Sequence, residues 1–171
     1  MANLLFGLRV WMAFITLVNL SIVITFHAWL IPYTNSRRDD EMIPYQHSLH
    51  NYVTSIASPI LFLAYLYSIW GQPRLHKFLR APLMLLPALF MIAAMLQYIH
   101  RMVQFAEMVN EQRPPEHKVV PFICYGESIT AICAISQSYT FIPIIVGFFV
   151  IIEVFVTLLR GPLYPSKKVD F

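Results

Sequence analysis

The sequence predicts an all-α fold, a bundle of four transmembrane helices that run antiparallel, up and down through a bilayer. Hydrophobic residues make up 58% of the 171 residues and charged residues only 12%, whereas about a quarter of a soluble domain is charged. The mean hydropathy is +0.61. The run Phe141–Leu159 is apolar except for Glu153, and at about 1.5 Å per residue it crosses the roughly 30 Å hydrocarbon core.

The apolar pattern divides the chain, a single domain of residues 1–171, into four spans. They cover about residues 10–31, 51–70, 82–105 and 136–160. Around the end of the third span, from Met102 to Val109, apolar residues recur at helical spacing. The helix is therefore expected to continue past residue 105 until the proline pair at Pro114 breaks it. The fourth helix mirrors this extension from near Ser128. We therefore expect helices three and four to project beyond the membrane as a hairpin on the non-cytosolic side.

Basic residues predict the orientation. The short link between spans two and three carries Arg74, Lys77 and Arg80 and no acid, and such links lie on the cytosolic side. Both termini then face the cytosol, in a multi-pass protein of the plasma membrane or a secretory-pathway membrane. Together with Lys167 and Lys168, these bases are expected to contact lipid headgroups. They are scattered among apolar spans, so the pI of about 9.0 does not predict a nucleic-acid partner.

The layout resembles the MARVEL family of tetraspan membrane proteins. The shared features are four spans with cytosolic ends, a short basic inner link and a longer second outer loop. The acid in FFVIIEVF, Glu153, is similar to the acid that many fungal-type relatives place in the fourth span, and Cys124 lies where such relatives often carry outer-loop cysteines. The resemblance implies a role in membrane organisation, apposition or trafficking, without an active site.

Glu153 is the first candidate for function, because a carboxyl in hydrocarbon is costly unless it is neutral or paired. Its depth, counted from the inner edge, is close to the depths of Asn19 and Tyr65. We therefore expect a neutral carboxyl that donates a hydrogen bond to one of these two residues and fixes the helix packing. The alternative is a proton-coupling carboxylate, which would usually require further ionisable groups at similar depth.

Four histidines near the outer face are candidate metal or haem ligands: His27, His47, His50 and His100. His47 and His50, three residues apart, would share a helical face, and imidazoles can bind zinc, copper or haem iron. Interfacial histidines that bond loop carbonyls are the plainer interpretation. Since no HExxH motif is present, we predict no cofactor.

The two cysteines are nine residues apart, at Cys124 and Cys133. On one helix they would be separated by about 13 Å, beyond the roughly 7 Å Cα limit for a disulfide. We therefore favour packing residues, and a disulfide only if Cys124 lies in a loop that folds back.

These observations predict a structural or organising membrane protein that is not an enzyme. Its partners would be the bilayer and either further copies of itself, as a homo-oligomer, or other membrane proteins. A non-catalytic accessory subunit of a larger membrane complex explains the sequence equally well. A small metal or haem redox protein and a proton-coupled transporter are also compatible with the sequence.

Overall fold

The computed structural model describes residues 2–32, 49–70, 77–111, 114 and 130–160. All regular structure in these ranges is helical, which confirms the predicted all-α class. The helices are α1 (Ala2–Thr25), a π-helical turn (Phe26–Leu30) that continues it, α2 (Leu49–Trp70), α3 (Lys77–Glu111) and α4 (Thr130–Arg160).

Within the described ranges, four helical segments are long and apolar enough to cross a membrane: Phe6–Leu30, Leu49–Trp70, Arg80–Glu111 and Cys133–Leu159. Large apolar side chains such as Phe14, Leu63, Phe90 and Phe148 are more than half exposed on the outside of the bundle. That surface suits a hydrocarbon solvent, which is as apolar as the side chains it contacts. The four predicted spans are confirmed.

The helices pack in the order of the chain. Each contacts the next one in sequence, and α1 also packs against α4. The main buried core includes Met12, Leu61, Met91 and Val150. The helices α3 and α4 approach closely at Gly147, where an added Cβ would lie 2.6 Å from a side-chain carbon of Ile92.

Two helices are longer than a bilayer requires. The 35 residues of α3 span about 52 Å at 1.5 Å per residue, and α4 has 31 residues. Both lengths agree with the predicted extensions, and α4 begins two residues after the predicted start near Ser128. Pro114 is exposed and lies outside any helix; residues 115–129 of the predicted tip lie outside the described residues.

The π-helical turn was not predicted. The backbone N–H of Ile31 donates to the carbonyl of Phe26, five residues earlier, so one extra residue is accommodated in the turn. Such turns inside α-helices often occur at functional sites. This one carries His27.

Candidate functional site

Glu153, on α4, lies where all four helices meet. Its side chain is 1% exposed. Oε1 accepts hydrogen bonds from Arg9 Nε at 3.4 Å, Arg80 Nη2 at 2.9 Å and Thr157 Oγ1 at 2.9 Å, and Oε2 accepts one from the Tyr65 hydroxyl at 3.3 Å. We call these five residues the inner cluster.

The helix ends position this cluster. Arg9 lies near the start of α1 and Arg80 in the first turn of α3, whereas Tyr65 lies in the last turns of α2. Thr157 follows Glu153 by four residues, so it shares the same face of α4. The long arginine side chains reach the carboxylate from the flanks of their spans, a common behaviour of Arg near helix ends.

We predicted that Glu153 donates a hydrogen bond, whereas in the structure its oxygens accept them. Guanidinium groups stay protonated in proteins, and Arg9 and Arg80 both donate to the same oxygen. A carboxylate that accepts from two guanidinium groups forms strong, charge-assisted hydrogen bonds. These partners were not predicted, because depth along the spans does not account for the reach of long arginine side chains from the flanks.

We predicted a hydrogen bond between Glu153 and either Asn19 or Tyr65, and the structure has it with Tyr65, whose hydroxyl is the donor. Asn19 donates to Ser58 Oγ at 2.9 Å and contacts Met91 Sδ at 3.9 Å. It is 1% exposed, so it is an intramembrane polar packing residue that joins α1 to α2 and α3.

Arg80 has a contact that was not predicted. We expected it at the lipid headgroups, and in the structure its side chain is 11% exposed and its Nη2 donates to Glu153. Of the other predicted headgroup residues, Arg74, Lys167 and Lys168 lie outside the described residues. Lys77 begins α3, and its side chain lies outside them as well.

A second polar group surrounds Tyr139 at the opposite end of the core. The Tyr139 hydroxyl donates to Asn51 Oδ1 at 2.9 Å and lies 2.6 Å from Thr54 Oγ1. Its ring stacks on Phe26 with centroids 3.7 Å apart. We call Tyr139, Asn51, Thr54, His27 and His50 the outer cluster.

The structure brings two of the four candidate histidines together around Tyr139. The ring centroids of His27 and His50 lie 6.0 and 6.3 Å from that of Tyr139. His27 Nε2 lies 2.9 Å from Ser55 Oγ, and the His50 ring lies 4.1 Å from that of Tyr98. These contacts hold the two imidazoles against hydroxyl groups and aromatic rings.

The other two histidines are not part of this cluster as far as the structure describes it. His100 is exposed on α3, and His47 lies outside the described residues. In the described part of the chain, no group of three or more His, Cys, Asp or Glu side chains could hold a metal ion.

Cys133 is disulfide-bonded, so our preference for an unbonded packing residue is corrected there. The distance argument assumed that both cysteines lie on one helix. However, α4 begins only at Thr130, after Cys124 in the sequence. Cys124 itself lies outside the described residues.

The roles of Arg9, Thr157 and Tyr139 were not predicted from the sequence. The spacing of the polar residues on α2, however, indicates which face of that helix is buried. Its polar residues Asn51, Thr54, Ser58 and Tyr65 are spaced by three, four and seven residues, which puts them on one helical face. A polar stripe on an apolar span marks the face turned toward the other helices. All four of these residues are buried.

Comparison of the chain with models of protein families, with curated proteins and with solved structures gave no match. The class of protein therefore follows from the fold itself: four apolar helices of membrane-spanning length that share one buried carboxylate. These features are those of a multi-pass membrane protein.

Proposed function

We propose that this chain is a structural membrane protein that organises or assembles membrane, without catalytic activity. The observation that carries the proposal is the inner cluster, in which Glu153 joins α4 to the other three helices through three hydrogen bonds. Such a cluster fixes one arrangement of the helices. An organising protein needs this fixed shape to present a constant outer surface to lipids and partners.

The geometry of Glu153 favours this role over proton-coupled transport. Oε1 of Glu153 accepts from three donors and Oε2 from one, so both oxygens are already engaged within the bundle. A coupling carboxylate must take up and release a proton during each cycle. Two guanidinium groups already donate to Oε1 of Glu153, so this carboxylate is better suited to holding helices together.

The layout supports the rest of the proposal. We take the helices to run antiparallel, because the starts of α1 and α3 meet the ends of α2 and α4 around Glu153. The basic link at Arg74 puts both termini in the cytosol, and the projecting ends of α3 and α4 then face outward. This layout resembles MARVEL proteins of the plasma membrane or secretory pathway, and we propose a role of that kind.

Native mass in a mild detergent tests the function. We expect the full chain, extracted from its own membrane, to migrate as a homo-oligomer. Stoichiometric co-purification of a different membrane protein would instead identify an accessory subunit. A monomer with neither partner would contradict the organising role.

Two further measurements test for a redox protein and for a transporter. Metal analysis and an absorption spectrum of the purified protein would reveal a redox centre at the histidines. Liposomes that contain a pH-sensitive dye would reveal proton flux, with Glu153→Gln as the test variant. Glu107→Gln, the same change at an exposed position on α3, is the matched control. Flux lost only in Glu153→Gln would mean that the protein is a transporter.

A further inference from the structure

We propose that the inner cluster binds the phosphate group of an anionic phospholipid, and that Arg80 is the residue that holds it. This site goes beyond the structural role, because it gives one end of the bundle a specific lipid ligand. The proposal is based on a charge imbalance, an unused donor and a small cavity, which all involve Arg80.

The first observation is the charge of the cluster. Two guanidinium groups, those of Arg9 and Arg80, contact one carboxylate, so the cluster carries one excess positive charge. The side chains of Arg9 and Arg80 are only 9% and 11% exposed. Water therefore solvates the excess charge poorly, and a buried charge that the described residues of the cluster leave uncompensated is strongly unfavourable. An additional anion would remove this cost.

The second observation is a donor without an acceptor. Arg80 uses Nη2 to contact Glu153, whereas its Nε–H is buried and has no acceptor in the described part of the chain. Oε1 of Glu153, the oxygen that Arg80 contacts, already accepts from three donors and has no further lone pair for this N–H. An anion at Arg80 would therefore accept from Nε without competing with the carboxylate.

The third observation is a cavity of about 10 Å³, lined by Arg80, Ala81, Val154, Thr157 and Leu158. A space of this size holds about one oxygen atom. One phosphate oxygen can thus enter, while the rest of the headgroup stays at the surface. Ala81 and Leu158 are partly exposed, so the wall of the cavity reaches the outside of the bundle.

The surroundings favour a lipid as the source of the phosphate. Apolar side chains are strongly exposed at this end of the bundle, with Trp70 82% and Leu159 85% exposed, so acyl chains would cover the adjacent surface. Phospholipids already present their phosphates at the ends of the spans, where Arg80 lies. The first turn of α3, which carries Arg80, adds the partial positive charge of a helix N-terminus.

Native mass spectrometry of the full chain from nanodiscs tests the proposal, with phosphatidylglycerol as the anionic lipid and phosphatidylcholine as the neutral lipid. We expect the wild type to retain one phosphatidylglycerol per chain. Arg80→Gln should weaken this retention at least about tenfold, the usual effect of losing a hydrogen bond to a charged group. Arg101→Gln, the same change at an exposed position farther along α3, is the control and should retain the lipid.

A second variant keeps the test decisive if Arg80→Gln does not fold. Leu158→Trp fills the cavity without changing any charge and should also release the lipid. Equal retention of both lipids, equal loss in Arg101→Gln, or unchanged retention in Leu158→Trp would overturn the proposal. Thermal stabilisation by inorganic phosphate as large as that by the lipid would overturn the lipid assignment. Native mass is measured separately, so failure here leaves the organising role untouched.

Discussion

Replacing Glu153 by leucine tests whether the carboxylate holds the bundle together. The substitution removes the acceptor of both guanidinium groups, whose nitrogens lie 3.4 and 2.9 Å from the same oxygen. Arg9 and Arg80 would then be two nearly buried cations that repel each other. Breaking a buried pair by removing one partner costs about 3–5 kcal/mol. We expect about 3 kcal/mol, because arginines near helix ends can turn toward the headgroups.

A triple variant separates lost charge compensation from lost packing. Arg9→Met, Arg80→Met and Glu153→Leu together replace the ionic contacts by apolar side chains of similar size, a change that is often neutral or stabilising. We expect the triple variant to recover most of the stability that Glu153→Leu loses. Glu107→Leu, at an exposed position, is the control for Glu153→Leu. It should change the free energy of unfolding by less than about 0.5 kcal/mol.

Reversible unfolding in mixed micelles, followed by circular dichroism, measures these free energies of unfolding. If Glu153→Leu were as stable as the wild type, the carboxylate would not hold the bundle. If the triple variant were no more stable than Glu153→Leu, the loss would come from packing and not from the unpaired arginines.

Two further substitutions test the packing elsewhere. Gly147→Ala should destabilise the bundle by about 1–3 kcal/mol in a thermal melt, because the added Cβ would lie 2.6 Å from a side-chain carbon of Ile92. Gly7→Ala is the control, since an added Cβ there has nothing within 4 Å, and it should be neutral or stabilising. Tyr139→Phe removes a hydroxyl with two side-chain partners. It should lower the free energy of unfolding by about 1 kcal/mol, since each hydrogen bond in a membrane contributes roughly 0.6 kcal/mol. Tyr67→Phe, at a residue 54% exposed, is its control, and an equal loss in both would contradict the outer cluster.

The sequence was sufficient to predict the four spans, because a bilayer requires long apolar helices and this requirement is visible in hydropathy alone. The extension of α3 past Met102 could also be predicted, since helical periodicity continues there without proline until Pro114.

Side-chain partners were harder to predict. Glu153 was recognised as the residue that needs a partner, and Tyr65 was correctly named. The arginines were missed because Arg80 was assigned to the lipid headgroups and Arg9 was not considered as a partner. Whether an arginine side chain can contact Glu153 depends on how deeply its helix end is inserted in the membrane. The position of a residue in the sequence does not specify that depth.

The contact between Arg9 and Glu153 joins residues 144 positions apart, nearly the whole chain. At about 5–20 residues per second, ribosomes need roughly 7–30 s to synthesise the intervening segment. During that interval Arg9 is already made, while its carboxylate partner does not yet exist. The first helix must therefore keep its arginine at the headgroups or in water until the fourth helix arrives. In a chain that ends before Glu153, the Arg9 side chain would stay exposed. The first helix therefore reaches its final depth only when the fourth helix packs against it.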